Sequence, residues 1–439
     1  MSAVNSAPGT TNSAARVLFA SLIGTTIEFF DFYIYATAAV IVFPKLFFPA
    51  SDPASAVLQS FATFSIAFFA RPIGAAIFGH FGDRIGRKAT LVAALMTMGL
   101  STIAIGLLPT YAAVGVAAPL LLALCRLGQG LGLGGEWGGA VLLATENAPK
   151  EKRAWYGMFP QLGAPIGFIL SNGAFLTLAS ALSDAQFFAW GWRLPFIASS
   201  ILVIVGLWVR LRLTETPDFV AAMERAERRK VPIAAVFAEH KALLVWGTIG
   251  AIATFVLFYI MTVFALNWGT TALGYTKSGF LPLQLVGVTF FGLTIPVSAL
   301  VADRFGYART LIWTTAAMVV FGFVLAPIFG SGSTLGVLAF LVIGFSLMGF
   351  TYGPLGTALA EPFPVSVRYT GASLAFNLAG IFGASLAPYI ATTLAVSHGL
   401  AAVGWYLAAG SALTLLALLM LERGHAPVTE AEAVPEAAE

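Results

Sequence analysis

Charge is scarce in this chain. Of its 439 residues, 10% are Asp, Glu, Lys or Arg, against roughly 25% in soluble domains, so it lacks the polar coat that a water-facing surface needs. Cysteine is scarcer still. The single Cys125 excludes an intramolecular disulfide and any cluster of cysteine metal ligands, and its place in an apolar run reads as packing. There is no HExxH, no GxSxG and no Walker A sequence, which removes support for hydrolases and ATP-driven pumps. The histidines, His80, His240, His398 and His425, are scattered, so neither a metal nor a cofactor is expected. Residues 1–15 carry no charge. They lack the basic start and short apolar core of a cleaved signal peptide, and the first apolar run is expected to stay.

What the chain has is apolar length. It is 59% hydrophobic with a mean hydropathy of +0.89, and runs of about 20 apolar residues, enough to cross a ~30 Å hydrocarbon core, recur throughout. Backbone groups in lipid must be satisfied internally, which leaves helices or a closed barrel. These runs are too long and too continuously apolar for barrel strands of ~10 alternating residues. The reading is an all-α membrane protein with spans at 17–43, 57–80, 88–109, 118–144, 154–180, 190–213, 242–267, 281–302, 310–330, 335–357, 370–395 and 400–421. A polar interval at 214–241 divides a first six-helix bundle (17–213) from a second (242–421). Residues 1–16 form a short N-terminus, and 422–439 an Ala-, Pro- and Glu-rich tail that reads as disordered.

The net charge of +3 and pI near 9.0 point to basic loops rather than to nucleic acid. With the N-terminus in the cytoplasm, all but five of the 23 Lys and Arg residues fall on that side. The exceptions are Lys45, Arg193 and Lys277 outside, and Arg71 and Arg126 within spans. This asymmetry predicts that both termini are cytoplasmic. The bundles also resemble each other: HFGDRIGRKATL at 80–91 matches LVADRFGYARTL at 300–311, and Glu146-x-x-Pro149-x-x-x-Arg153 recurs as Glu361-x-x-Pro364-x-x-x-Arg368. Two equivalent halves rocking about a midplane site are what an alternating-access carrier needs. A channel or a membrane enzyme has no such requirement.

Five ionisable residues lie inside spans: Glu28, Asp31, Arg71, Arg126 and Glu136. Each costs about 2.5–3.5 kcal/mol on insertion scales, so each needs a reason to be there. Three acids against two bases leave one carboxylate without a cation, and a carboxylate alternating between paired and unpaired states can take up and release a proton. Depth along the spans makes Asp31 the expected partner of Arg126. Arg71 is free to meet Glu136, Glu28 or an anionic substrate. The alternative is a set of static ion pairs. Tyr33, Gln129, Gln161, Asn172, Tyr259, Asn267, Gln284, Tyr352 and Asn377 are polar residues within spans that either line a cavity or bond between helices. Gln161, Tyr352 and Asn377 have Gly or Pro nearby and are favoured for the cavity. Gly130-x-Gly132-x-x-Gly135 is a formal dinucleotide fingerprint, but it neither follows a strand nor opens a βαβ helix, and its glycines are read as helix-packing residues. GHFGDRIGRK at 79–88 is expected to act as an inter-half latch as well as a topology anchor, with Asp83 accepting from an Arg or a helix N-terminus.

GHFGDRIGRK resembles the loop 2–3 signature of the major facilitator superfamily, and DRFGYAR its second-half copy. Together with IEFFDFYIYATAA at 27–39, ARPIGAAIFGHFGDRIGRK at 70–88, RLGQGLGLGGEWGGA at 126–140 and LTETPDF at 213–219, they resemble the metabolite:proton symporter family, whose members carry α-ketoglutarate, citrate, shikimate and proline or betaine. The resemblance covers all twelve spans. It implies the major facilitator fold and a bacterial inner-membrane symporter with the proton as coupling ion; the unit is expected to be a monomer. Its substrate would be a small organic acid or zwitterion. Asp31 and Arg126 match the family's proton-coupling positions, and Glu28 and Glu136 are the further proton-coupling candidates. Arg71, Tyr33, Gln129, Gln161, Tyr259, Tyr352 and Asn377 are the substrate candidates. Gly79, Asp83, Arg84, Gly86 and Arg87, with Glu146, Arg153, Asp303, Arg304, Glu361 and Arg368, form the expected cytoplasmic gate. Tyr307 and Ala308 interrupt the second-half basic pair, so that copy is expected to latch more weakly, leaving Glu361 and Arg368 as its main contacts. The same substrate moved by an uncoupled facilitator or exchanger is the competing expectation. A membrane enzyme or sensor would need a reactive cluster or a large soluble domain.

Overall fold

Uninterrupted Leu, Ala, Val and Phe give these segments no polar alternative to an internally bonded backbone, and they fold as helices. The computed structural model describes residues 14–49, 52–85, 87–134, 136–146, 148–211, 232–364 and 367–424. In chain order the long helices are α1 (Ala14–Ile41), α2 (Pro53–Ile85), α3 (Arg87–Leu107), α4 (Ala117–Gly134), α5 (Trp137–Glu146), α6 (Arg153–Ala181) and α7 (Leu194–Leu211). They continue with α8 (Lys241–Thr271), α9 (Lys277–Phe305), α10 (Tyr307–Phe329), α11 (Thr334–Ala360), α12 (Thr370–His398) and α13 (Leu400–Glu422). Eleven helices among the described residues are long and apolar enough to cross a membrane. The twelfth span, α3, is a shorter apolar helix over Val92–Leu107 on a basic first turn. The fourth span is α4 carried on as α5. The expected order and number of spans therefore stand, while α2, at 33 residues and about 1.5 Å per residue, overshoots the hydrocarbon by several turns.

Prolines interrupt the helices without ending them: Pro72 in α2, Pro160 and Pro165 in α6, Pro282 and Pro296 in α9, and Pro354 in α11. Neighbouring helices re-satisfy the freed groups. Two spans carry a π-helical turn, Ile260–Phe264 in α8 and Ile381–Ser385 in α12. Thr276 and Ser333 cap α9 and α11 by accepting from Gly279 N and Gly336 N, each at 3.1 Å. Gly306, at φ 94°, makes the one-residue turn from α9 to α10 that a side chain would strain.

α6 packs against α9 and α11, α2 against α12, and α1 against α8, so the first six spans meet the last six along these helices. α8 is the most enclosed span, with 89% of its apolar window buried, and α7 among the most peripheral, with 33%. The outer helices turn Leu120, Leu124, Ile201, Ile204, Leu293, Val320, Phe323 and Trp405 outward, an apolar exterior suited to lipid rather than water. We call the end bearing Ile85, Arg87, Arg153, Phe305 and Ala360 the basic face, and the end bearing Ile41, Ala181 and Lys277 the opposite face.

The α4 glycines sit where they allow close approach. A Cβ on Gly132 would lie 2.7 Å from Ala94 O and 2.8 Å from Met98 N of α3, and one on Gly130 would collide with Ala67 of α2. Gly132→Val is therefore expected to destabilise the protein by about 1–3 kcal/mol, the usual cost of overpacking, whereas Gly173→Ala, which meets open space, is neutral or mildly stabilising. Thermal unfolding midpoints in detergent check the contrast.

Candidate functional site

Helical spacing sends the α1 residues in different directions. Asp31, 1% exposed, accepts a hydrogen bond from Ser199 Oγ of α7 at 2.5 Å on Oδ1. Its Oδ2 has no hydrogen-bond partner. The Thr102 hydroxyl of α3 and the Glu136 carboxylate also face it. Arg126, fully buried, is boxed by the rings of Tyr35, Phe32 and Phe64 at 4.1, 4.6 and 4.7 Å. Its Nε donates to Phe64 O at 3.3 Å and its Nη1 to Gln129 Oε1 at 2.9 Å.

The expected Asp31–Arg126 ion pair is thus not formed among the described residues. Arg126 lies level with Tyr35, a turn further along α1, and ring faces and a carbonyl solvate the guanidinium in place of a carboxylate. Gln129, one turn along α4 toward Asp31, is part of this network: its Nε2 donates to Thr102 Oγ1 at 2.8 Å.

The other expected substrate residues converge where the two sets of spans meet. Arg71 stands 4.8 Å from the Phe68 ring and 5.1 Å from the Phe32 ring, and its charge is felt at Tyr33, Tyr259 and Tyr352. Tyr33 packs on Phe168 at 4.9 Å and on Phe29 and Phe258 at 5.7 Å, with its buried hydroxyl unpartnered. Tyr259 lies 5.6 Å from both Phe64 and Phe68, and Tyr352 lies 5.8 Å from Phe291. Gln161 Nε2 donates to Tyr352 O at 3.2 Å and leaves Oε1 unpartnered. Glu28 is buried and its charge reaches Tyr352. Asn377 is buried on α12 beside Phe376, whose ring stacks on Trp137 of α5 at 3.6 Å.

Polar contacts close both ends over this centre. On the basic face Asp303 reaches the N-terminus of α6, accepting from Ala154 N at 2.9 Å and Trp155 N at 3.0 Å, and Arg153 stands 3.7 Å from Glu361. The second-half copy therefore latches in spite of its interrupted basic pair, because the contact is made by the carboxylate and a helix N-terminus. The first-half copy with which this contact was to be compared lies outside the described residues. Arg304 is exposed and lies over the Phe305 ring at 5.2 Å, outside the latch. Arg368 donates to Phe363 O at 3.0 Å. Gly86, and the side chains of Asp83, Arg84, Arg87 and Glu146, lie outside the described residues, as does the environment of Gly79.

Toward the opposite face, Thr37 Oγ1 donates to Asn172 Oδ1 at 2.7 Å, and Asn172 Nδ2 to Gln284 Oε1 at 3.3 Å. Gln284 Nε2 in turn donates to Thr262 O at 2.6 Å and Met261 O at 3.0 Å in the α8 π-turn. Ser65 Oγ donates to Ser385 O of the α12 π-turn. Thr37, Thr102 and Ser199 escaped the sequence reading because a hydroxyl in an apolar helix usually bonds its own backbone.

Twelve spans in two packed sets, closed at both ends around a buried polar and aromatic centre, define a membrane transporter. Residues 17–242 match the family of sugar (and other) transporters. The inner membrane metabolite transport protein YhjE of Escherichia coli is 58% identical over 93% of this chain and 94% of its own length. The shikimate transporter of the same species is 34% identical over 93% of this chain and 94% of its own. The crystal structure of a D-xylose-proton symporter shares the fold, with a TM-score of 0.71 at 17% identity over 93% of this chain and 97% of that one. The chain belongs to the sugar (and other) transporter family, and it shares its fold with a proton:xylose symporter of the major facilitator superfamily. It is a multi-pass inner-membrane metabolite transporter and not an enzyme.

The latch makes a testable claim. With Cys125 replaced by Ser and Thr145→Cys as reporter beside Arg153 and Thr357, Asp303→Asn loses about one charge-assisted bond of roughly 1.5–3 kcal/mol. Maleimide labelling of Cys at 145 is expected to rise roughly 10-fold or more; an unchanged rate would show that Asp303 does not hold the basic face closed.

Proposed function

We propose that the chain is a proton-coupled symporter of a small metabolite bearing a carboxylate, either an organic acid or a zwitterion, working by alternating access. The observation that carries this reading is the separation of two buried functions. Asp31 lies within the first six spans, bonded to Ser199 with its second oxygen unpartnered, and no Lys or Arg forms an ion pair with it among the described residues. A carboxyl group so placed has room to carry a proton, since its protonated form adds an O–H donor. Arg71 lies instead at the meeting of the two sets of spans, among tyrosines of both. A guanidinium against ring faces suits a carboxylate in its plane, with the apolar part of the substrate on the rings. The asymmetry of Lys and Arg supports cytoplasmic termini and a cytoplasmic basic face. The unit is taken to be a monomer with no cofactor other than the transported proton. Opening then means parting Asp303 from α6 on one face, or the Thr37–Asn172–Gln284 chain on the other.

The test is uptake into proteoliposomes of radiolabelled shikimate, α-ketoglutarate, proline and glycine betaine, with and without an inward proton gradient. At least one is expected to accumulate only with the gradient. Asp31→Asn is expected to reduce accumulation to the no-gradient level while preserving part of the exchange, and Arg71→Gln to weaken uptake of every carboxylate. Equal accumulation with and without the gradient would instead support an uncoupled facilitator or exchanger, and full accumulation by Asp31→Asn would remove Asp31 as the proton site.

A further inference from the structure

We propose that Asp31 and Arg126 communicate through Gln129 and Thr102, which act as positioning residues that make Arg126 respond to the protonation of Asp31 without a direct ion pair. The inference rests on the reading of Asp31 as the proton site and adds residues that this reading does not contain.

Arg126 and Gln129 are three residues apart on α4 and share a face. Arg126 Nη1 donates to Gln129 Oε1 at 2.9 Å, and Gln129 Nε2 donates to Thr102 Oγ1 at 2.8 Å. The Thr102 hydroxyl donates to Met98 O at 3.0 Å and faces the Asp31 carboxyl, which Ser199 holds from the other side. Arg126, Gln129, Thr102, Ser199 and Asp31 are all at most 1% exposed. A polar strip this dry exists only if its members satisfy one another. The two strip atoms left without a partner are Asp31 Oδ2 and Arg126 Nη2, one at each end.

The chemistry of the middle members follows from their hydrogen inventory. The amide of Gln129 fixes its orientation by accepting from Arg126, so its NH2 must point to Thr102. That donor occupies the Thr102 oxygen and leaves a single hydroxyl hydrogen, which goes either to Met98 O or to Asp31. Protonated Asp31 has its own O–H and leaves the hydrogen on Met98 O. Ionised Asp31 is acceptor-only and draws it away from α3. Only Asp31 gains or loses a proton, exchanged with water when a face opens; Thr102 and Gln129 keep theirs and change partners. Turning Thr102 moves the Gln129 amide, and with it the hold on Arg126. Arg126 shares the Phe32 ring with Arg71, at 4.6 and 5.1 Å, so the strip ends one ring from the proposed substrate cation. Of the charged and titratable groups, Glu136, before α5, faces Asp31, Glu28 lies one turn away on the same helix, and Arg126 on α4 ends the strip. None of them lies in the middle of the strip.

Infrared difference spectroscopy across pH, on the full protein in liposomes and without substrate, reads the carboxylic C=O band of Asp31, identified as the band missing in Asp31→Asn. Arg126→Gln is expected to displace the titration midpoint of this band. In a Thr102→Val background the same Arg126→Gln change is expected to displace it severalfold less, because the bridge is already cut. Thr102→Ser restores the full response. If Arg126→Gln does not fold, Gln129→Leu replaces it as the perturbation, with the same expectation. A displacement of equal size in both backgrounds would mean that the two groups interact through space and would overturn the bridge while leaving Asp31 as the proton site. The absence of any band specific to Asp31 would overturn the bridge together with that reading.

Discussion

A fully buried guanidinium that no carboxylate pairs with among the described residues is the constraint on which the first six spans depend. Arg126 keeps its proton under all ordinary conditions, so its charge cannot be removed and must be solvated by protein. Phe32 and Tyr35 of α1 and Phe64 of α2 supply ring faces, and Phe64 O and Gln129 supply acceptors. Each desolvated ring contact contributes on the order of 0.5–2 kcal/mol, and three of them are comparable to the roughly 2.5–3.5 kcal/mol that insertion scales assign to the charge. Meeting that need fixes α1, α2 and α4 against one another at a common depth. The glycines of α4 make the approach possible, since a side chain at Gly130 or Gly132 would strike α2 or α3.

With Arg126 satisfied by aromatics, Asp31 is left to hydroxyl partners. This gives the first six spans two separate charged elements instead of one neutralised pair. The arrangement suits a carrier better than a static salt bridge would. A buried pair with excellent geometry resists any change in either partner, whereas, on the function proposed above, a carboxyl held by Ser199 and faced by Thr102 gains or loses a proton while its neighbours only exchange hydrogen bonds.

The surface where the two sets of spans meet follows a second rule. Its centre is aromatic and weakly directional, while its two ends are closed by directed bonds: Asp303 to the backbone of α6 on the basic face, and the Thr37–Asn172–Gln284 chain toward the opposite face. Both closures draw on backbone groups, a helix N-terminus in one case and π-turn carbonyls in the other. Such groups stay in place while side chains move, so a small rotation of one set of spans breaks a closure at one end without dismantling a helix. Lys277, 3.9 Å from Asp184 and 4.3 Å from the Phe188 ring, adds a weaker contact at the rim of the opposite face.

The fold was legible because lipid removes alternatives. Once a run of about 20 apolar residues must satisfy its own backbone, a helix is the only open answer, and the repeated loop motifs disclosed that the spans come in two related sets. The identity of the ionisable residues and their membership of the first six spans were also set by the sequence, as was the convergence candidacy of Arg71, Tyr33, Tyr259 and Tyr352. Which of them touch was not. A shift of one helical turn, about 5.4 Å, separates an Asp31–Arg126 ion pair from the arrangement found, and depth counted along a chain does not resolve one turn. The roles of Thr102, Ser199 and Thr37 were equally hidden, because a hydroxyl in an apolar helix looks the same whether it bonds its own backbone or crosses to another span. The sequence by itself determined the helices, their number and the charges they bury. Only the tertiary structure decided the partners of those charges, because rotation and register between helices are set by packing across spans far apart in the chain.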